Sequence, residues 1–279
     1  MQPLETWAGP RRAALETFLA ELFVDAWPEA FGEMSRYPLT TGGKRIRPLL
    51  CLAAHEAVAG TWEPALRPAA AIEMVHCYSL VHDDMPCMDD DSVRRGLPTT
   101  HVKYGEDMAL LVGDALLTEA FRLLSRPWGD ATMQLQLVRE LSTAAGYHGM
   151  IGGQAADLGA LGDITDVETL TRLHRGKTGA LIRCAVRMGA ITARADGRVL
   201  DGLTRYANHV GLAFQLADDV LDEEQDAGDD GPPSFVKLLG REETTRRAQA
   251  LAVDAEEALG DLAAPVLRQL ARFSVERTI

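Results

Sequence analysis

Apolar residues recur along this chain at the spacing of a helix face, not in alternation. In TTRRAQALAVDAEEALGDL (244–262), Ala248, Leu251, Ala252, Ala255 and Leu259 fall on one side and the charges on the other. The segments MALLVGDALLTEAFRLL (108–124), TGALIRCAVRMGAI (178–191) and LTRYANHVGLAFQLADDVLD (203–222) read the same way. Ala and Leu are abundant, and no run of β-branched and aromatic residues alternates as a strand would. Turns or loops are expected at 37–44, 94–105, 126–130, 158–163 and 226–234, where Gly, Pro, Asp and Thr gather. No linker divides two compositional halves, and no repeat of 20–50 residues is present. The pattern predicts an all-α fold: one domain over 1–279, a bundle of about ten or more helices around a central cavity. Polar side chains of facing helices in such a bundle are a usual place for a metal or ligand.

Composition adds little to the fold and more to the partners. With 279 residues, 47% hydrophobic and 25% charged, the chain is long enough to bury a large core. A net charge of -13 argues against nucleic acid and against an anionic membrane surface. An anionic small substrate would have to be met by local cations or metals. Cys51, Cys77, Cys87 and Cys184 form no C-x-x-C pair, so they are expected as small buried thiols and not as a zinc site. The first residues lack the apolar stretch of a signal peptide, and no run of 18 apolar residues occurs, so a cytoplasmic protein is expected.

Two acidic clusters change the picture. HDDMPCMDDD (82–91) holds five aspartates, Asp83, Asp84, Asp89, Asp90 and Asp91. Two carboxylates ~6 Å apart repel by about 3 kcal/mol at an effective dielectric near 20. The first pair also ends the apolar helical segment AAAIEMVHCYSLV, where the helix dipole disfavours negative charge. The second cluster is FQLADDVLDEEQD, whose Gln215, Asp218, Asp219 and Asp222 stand at i, i+3, i+4 and i+7 on one helix face. Alone, a solvated acidic face would explain it. Oxygen ligands without a His or Cys set favour Mg²⁺ over Zn²⁺, and Mg²⁺ completes its shell with water and substrate phosphate. Cations accompany both clusters: Lys44, Arg45 and Arg47 after a glycine pair, Arg94 and Arg95, and Lys177. Two anion sites follow, one bridged by metal and one met directly by Lys and Arg.

These residues resemble the trans-prenyl diphosphate synthases of the farnesyl/geranylgeranyl type. The matching stretches are GGKRIRP, HCYSLVHDDMPCMDDDSVRRGLPTTHVKYGE, GDALLTEAF, GGQAADL, HRGKTGALI and FQLADDVLD, in the family's order over most of 40–222. The resemblance implies the isoprenoid synthase bundle, a homodimer, and the head-to-tail condensation of isopentenyl diphosphate with an allylic diphosphate. It implies three Mg²⁺, held by Asp83, Asp84 and Asp89 on one side and by Asp218, Asp219 and Asp222 on the other. Arg94 and Lys177 would hold the allylic diphosphate; Lys44, Arg47, His76 and Arg95 would hold isopentenyl diphosphate. Thr178 and Gln215 would steady the allylic cation. Tyr78, with Ser79 beside it, would limit chain length, and with the inserted Pro86–Cys87 pair this implies farnesyl diphosphate as product. Geranylgeranyl or geranyl diphosphate is the alternative product.

The resemblance breaks over 226–240. Pro232 and Pro233 precede Ser234 where the family carries a Gly-Lys pair, so a lysine contact to the allylic diphosphate is missing, and Lys237 comes four or five residues late. Arg277 matches a family position that reaches the closed site. Three other readings compete. A terpene cyclase would need only one diphosphate site and a second motif with Asn and Glu. A silent subunit of a heteromeric synthase would lose aspartates from one cluster. A plain helical scaffold would leave both clusters unexplained.

Overall fold

A computed structural model describes residues 3–223 and 233–276. Its α-helices are α1 (Leu4–Ala20), α2 (Glu29–Thr40), α3 (Ile46–Ala59), α4 (Leu66–Asp83), α5 (Thr100–Tyr104), α6 (Glu106–Ser125) and α7 (Ala131–Ala145). They continue as α8 (Met150–Ala155), α9 (Val167–His174), α10 (Ala180–Thr192), α11 (Gly197–Glu223), α12 (Phe235–Leu239), α13 (Arg241–Ala258) and α14 (Pro265–Glu276). The all-α expectation holds, and the four periodic segments become most of α13, α6, α10 and α11.

Helix α4 is the axis of the bundle. Ala69 to Val75 are seven successive buried residues, which only a helix surrounded by others can accommodate. It packs against α3, α6 and α10, while α10 also packs against α3, α7 and α11. Helices α1, α2 and α14 lie outside this set, with Trp7, Leu15 and Leu19 of α1 buried against it. A second apolar cluster, Ile164, Leu170, Leu173, Leu216, Phe235 and Ala248, fastens α9, α12 and α13 to α11.

Local departures from the sequence expectations have physical causes. Helix α2 runs through the turn expected at 37–44 as far as Thr40, because Pro38 and Leu39 are buried against the core. Packing there outweighs the hydrogen bond that Pro38 cannot make. The loop expected at 94–105 contains a two-residue antiparallel hairpin, Val93–Arg94 with Leu97–Pro98, and then α5. Part of the 158–163 loop is a π turn over Ala156–Ala160 that Gly159, at φ 96°, interrupts, and a second π turn spans Arg175–Gly179. Cys51, Cys77 and Cys184 are buried as expected, but Cys87 is exposed on the loop after α4. Pro232 and Arg277 lie outside the described residues.

Candidate active site

The first aspartate cluster forms as α4 runs out. The amide of Asp89 donates to the carbonyl of Asp83 at 2.8 Å, and those of Met88 and Asp90 donate to Met85. The loop therefore curls back and sets Asp89 beside Asp83. Burial pushes the Asp83 carboxyl up to about 6; Lys177 opposes the shift, while Asp89 and Asp84 add to it. Asp84 goes elsewhere. Its Oδ1 accepts from Arg94 Nε at 2.5 Å, and Arg94 also donates to Asp91 at 2.9 Å. Asp84, expected among the metal ligands, is thus 3% exposed and paired with the arginine expected to hold phosphate.

The cations of 42–47 divide into two roles. Arg45 is not part of a cradle. It adopts φ 53° and turns inward, where Glu16, Glu73 and the Leu39 carbonyl accept from it. Arg47 faces the cavity and lies 3.4 Å from His76 Nε2. Burial lowers the pKa of Arg47, and the carboxylates of Glu73 and Asp218 work against that. Burial, with Arg47 and Arg95 next to it, holds the His76 imidazole neutral, well below its ordinary value. Arg95 is exposed and donates to the Gly42 carbonyl, which ties the R-R-G hairpin to the glycine turn beside the exposed Lys44.

The facing wall comes from α8, the π turn at 175–179 and α11. A Cβ on Gly153 would lie 2.1 Å from the Lys177 amide nitrogen, so only glycine lets these two backbones meet. That contact sets Gln154 and Lys177 into one surface. Gln154 Nε2 donates to Asp83 Oδ1 at 3.0 Å, and Lys177 Nζ donates to Asp157 at 2.5 Å. Thr178 Oγ1 donates to Gln215 Oε1 at 3.1 Å, and Gln215 Nε2 donates to Asp219 Oδ1 at 3.0 Å. The other Asp219 oxygen accepts from the Phe235 amide at 2.6 Å. Burial raises the Asp219 pKa, and these two donors oppose the rise. Asp218 is half-buried and Asp222 exposed.

A cavity of about 400 Å³ lies between α4 and the surface of α8 and the 175–179 turn, and Gln215, Asp218, Asp219 and Asp222 of α11 are not in its lining. Arg47, His76, Asp83, Gln154, Lys177 and Thr178 supply its polar lining, and Tyr78, Ser79, Met88, Met150, Ile151 and Leu158 line it too. Tyr78 is 5% exposed, and its hydroxyl is buried without a hydrogen-bond partner. Lys237, exposed on α12, is not in this lining.

Among the described residues, no three His, Cys, Asp or Glu side chains are gathered as a ready ion cage. Mg²⁺ needs none, because it binds through one or two carboxylates and takes the rest of its shell from water and phosphate. The donor set fits such an ion. Burial and like charge both disfavour the ionised Asp83 carboxyl, and a cation would offset both. Gln154 Oε1 and Arg47 Nε are buried with no partner, an acceptor and a donor suited to a hydrated metal and to phosphate.

Gln154 and Asp157 were not singled out from sequence. The available signal was a polar pair at i, i+3 directly after two glycines, in an otherwise small and apolar stretch. No helix among the described residues is long and apolar enough to cross a membrane.

Residues 28–253 match the family described as polyprenyl synthetase. The chain is 42% identical to the farnesyl diphosphate synthase of Escherichia coli, over 99% of this chain and 98% of that one. It superposes with TM-score 0.87 on the apo structure of an FPP/GFPP synthase from Zymomonas mobilis, at 39% identity and 98% coverage of both chains. It superposes with TM-score 0.83 on a geranyltransferase from Helicobacter pylori complexed with magnesium and isoprenyl diphosphate, at 33% identity, covering 98% of this chain and 97% of that one.

Proposed function

The chain belongs to the polyprenyl synthetase family and is a trans-prenyltransferase, and from that premise we propose that it adds isopentenyl diphosphate head to tail to dimethylallyl and geranyl diphosphates and stops at farnesyl diphosphate. One observation carries this reading: Arg47, His76, Asp83, Lys177 and Tyr78 line the same cavity. Cations for two diphosphates thus share a space with a wall for the growing hydrocarbon.

In this reading, Lys177 and Arg94 bind the allylic diphosphate, with Asp157 holding Lys177 and Asp84 holding Arg94 until it arrives. Asp83 and Asp89 on one side, and Asp218 with Asp219 and Asp222 on the other, hold Mg²⁺, three ions with substrate bound. Bound there, Mg²⁺ would neutralise the diphosphate and so favour departure of the leaving group. Lys44, Arg47 and Arg95 bind isopentenyl diphosphate, and neutral His76 adds a hydrogen bond without further charge. The allylic C–O bond breaks, and its electron pair leaves with the diphosphate. Thr178 and Gln215 turn oxygen dipoles toward the carbocation that remains. The isopentenyl double bond attacks it, and the proton then lost passes to the diphosphate held at Lys177. Met150, buried in the cavity wall, helps keep water from the cation. Tyr78 and Ser79 stand where the hydrocarbon lengthens.

We read the enzyme as a homodimer of single-domain subunits. Leu110 and Leu111 of α6 and Leu135 of α7 are about half exposed, on helices that pack together, and a second copy would cover them. Light scattering on the purified chain tests this.

The function is tested by incubating the protein with Mg²⁺, isopentenyl diphosphate and each of dimethylallyl, geranyl or farnesyl diphosphate. Mass spectrometry reads the products, with EDTA as control. Metal-dependent C15 product from the two shorter primers is expected. A C20 product would keep the enzyme and reject Tyr78 as the limit. No condensation with any primer would favour a silent subunit.

A further inference from the structure

We propose that His82 is a second determinant of product length, seated in a notch at Gly113, and that it sets the chain-length limit together with Tyr78. This rests on the elongation reading above. His82 follows Tyr78 by one turn of α4, and both side chains line the cavity. Their rings meet edge to face, with centroids 5.9 Å apart and planes at 80°. The Tyr78 hydroxyl has no partner, so neighbouring side chains and not a hydrogen bond fix its ring. His82 is one of those neighbours, and it is itself anchored. Its Nε2 donates to the Leu110 carbonyl of α6 at 3.1 Å.

The anchor depends on a missing side chain. A Cβ on Gly113 would lie 2.0 Å from His82 Nε2, 2.4 Å from Cδ2 and 2.7 Å from Cε1. The imidazole therefore fills the volume that any other residue at 113 would need. A methyl group there would break the bond to Leu110 and drive the ring away from α6, toward Tyr78 and the cavity. Removing the imidazole would do the opposite, opening the wall beside Tyr78 toward α6. Gly113 and His82 thus act on one boundary in opposite directions, through volume and with no contact to either diphosphate.

The full-length protein, with Mg²⁺, dimethylallyl diphosphate and excess isopentenyl diphosphate, is assayed for the ratio of C10, C15 and C20 products. His82→Ala is expected to raise the C20:C15 ratio by about fivefold or more, and Gly113→Ala to raise C10:C15 similarly, the scale of a volume change in an apolar pocket. His82→Gln, whose Nε2 can still reach the Leu110 carbonyl, is expected to stay close to the wild-type ratio. A merely structural role would change the rate and leave the ratios alone. Wild-type ratios in both alanine variants, whatever their rates, overturn the proposal. If Gly113→Ala does not fold, His82→Ala decides alone. Absence of any product from the wild type would strike the elongation reading, whereas a wild type that makes C15 beside variants of unchanged ratio strikes only His82.

Discussion

Gln154 of α8 donates a 3.0 Å hydrogen bond to Asp83 of α4, joining two residues 71 positions apart. The bond occupies one oxygen of Asp83 and orients the other. It is the kind of outer contact that tunes a metal ligand. Replacing Gln154 by Ala should weaken apparent Mg²⁺ affinity by about 10–100-fold, the usual scale for such contacts. A Mg²⁺ titration of initial rate at saturating substrates checks it; an unshifted curve would detach Gln154 from the metal end.

Both oxygens of Asp219 are engaged, by Gln215 and by the amide that opens α12. Asp219→Ala leaves the buried Phe235 amide without an acceptor, at a cost of about 1–3 kcal/mol. For a chain of this size the midpoint of thermal unfolding should fall by several degrees, and calorimetry of the unliganded protein would see it. Asp218→Ala should lower the rate at a given Mg²⁺ concentration. An unchanged midpoint for Asp219→Ala would contradict its role in holding the start of α12.

Arg45 and Arg47 are two residues apart and do different work. Arg45→Ala would leave Glu73, 1% exposed, without its counter-charge, a loss of about 3–5 kcal/mol. Low yield or a strongly lowered unfolding midpoint is expected. Arg47→Ala should fold, as judged by circular dichroism, and raise the KM for isopentenyl diphosphate by about tenfold or more, with a smaller change for the allylic substrate. A larger rise for the allylic substrate would exchange the two diphosphate sites.

Tyr78 separates volume from polarity. Tyr78→Ala should shift products beyond C15, because a ring is removed from the cavity wall. Tyr78→Phe keeps the ring and deletes a hydroxyl that is buried without a partner, so C15 should persist and the unfolding midpoint should not fall. A lower midpoint for Phe would mean that the hydroxyl has a partner after all.

Much of this was legible in the chain because helix periodicity and charge are local signals. The segments that became α6, α10, α11 and α13 carry their apolar face in the sequence, and the strain of Asp83 at a helix C-terminus can be argued from spacing alone. What was not legible depends on which surfaces meet. Arg45 and Arg47 look alike in GGKRIRP; the left-handed backbone at Arg45 decides which one turns into the core. Asp84 is indistinguishable from Asp83 until the hairpin brings Arg94 to it. Gln154 and Asp157 gain meaning only from Gly153, whose contact with the Lys177 backbone no local pattern announces. The π turns and α5 are too short for periodicity to register, and Cys87 is exposed on the loop that curls back to set Asp89 beside Asp83.

That same glycine contact has a consequence for how such a molecule can change over generations. Beside Lys177 the cavity is built backbone against backbone, where one added methyl group has nowhere to go. Around Tyr78, Met150 and Ile151 it is built of side-chain volume, which a single substitution can trim or enlarge. One end of the chamber is closed to drift and the other is open to it. With Tyr78 setting product length as proposed, a lineage could move from one product to the next by single steps, each intermediate still able to ionise its primer.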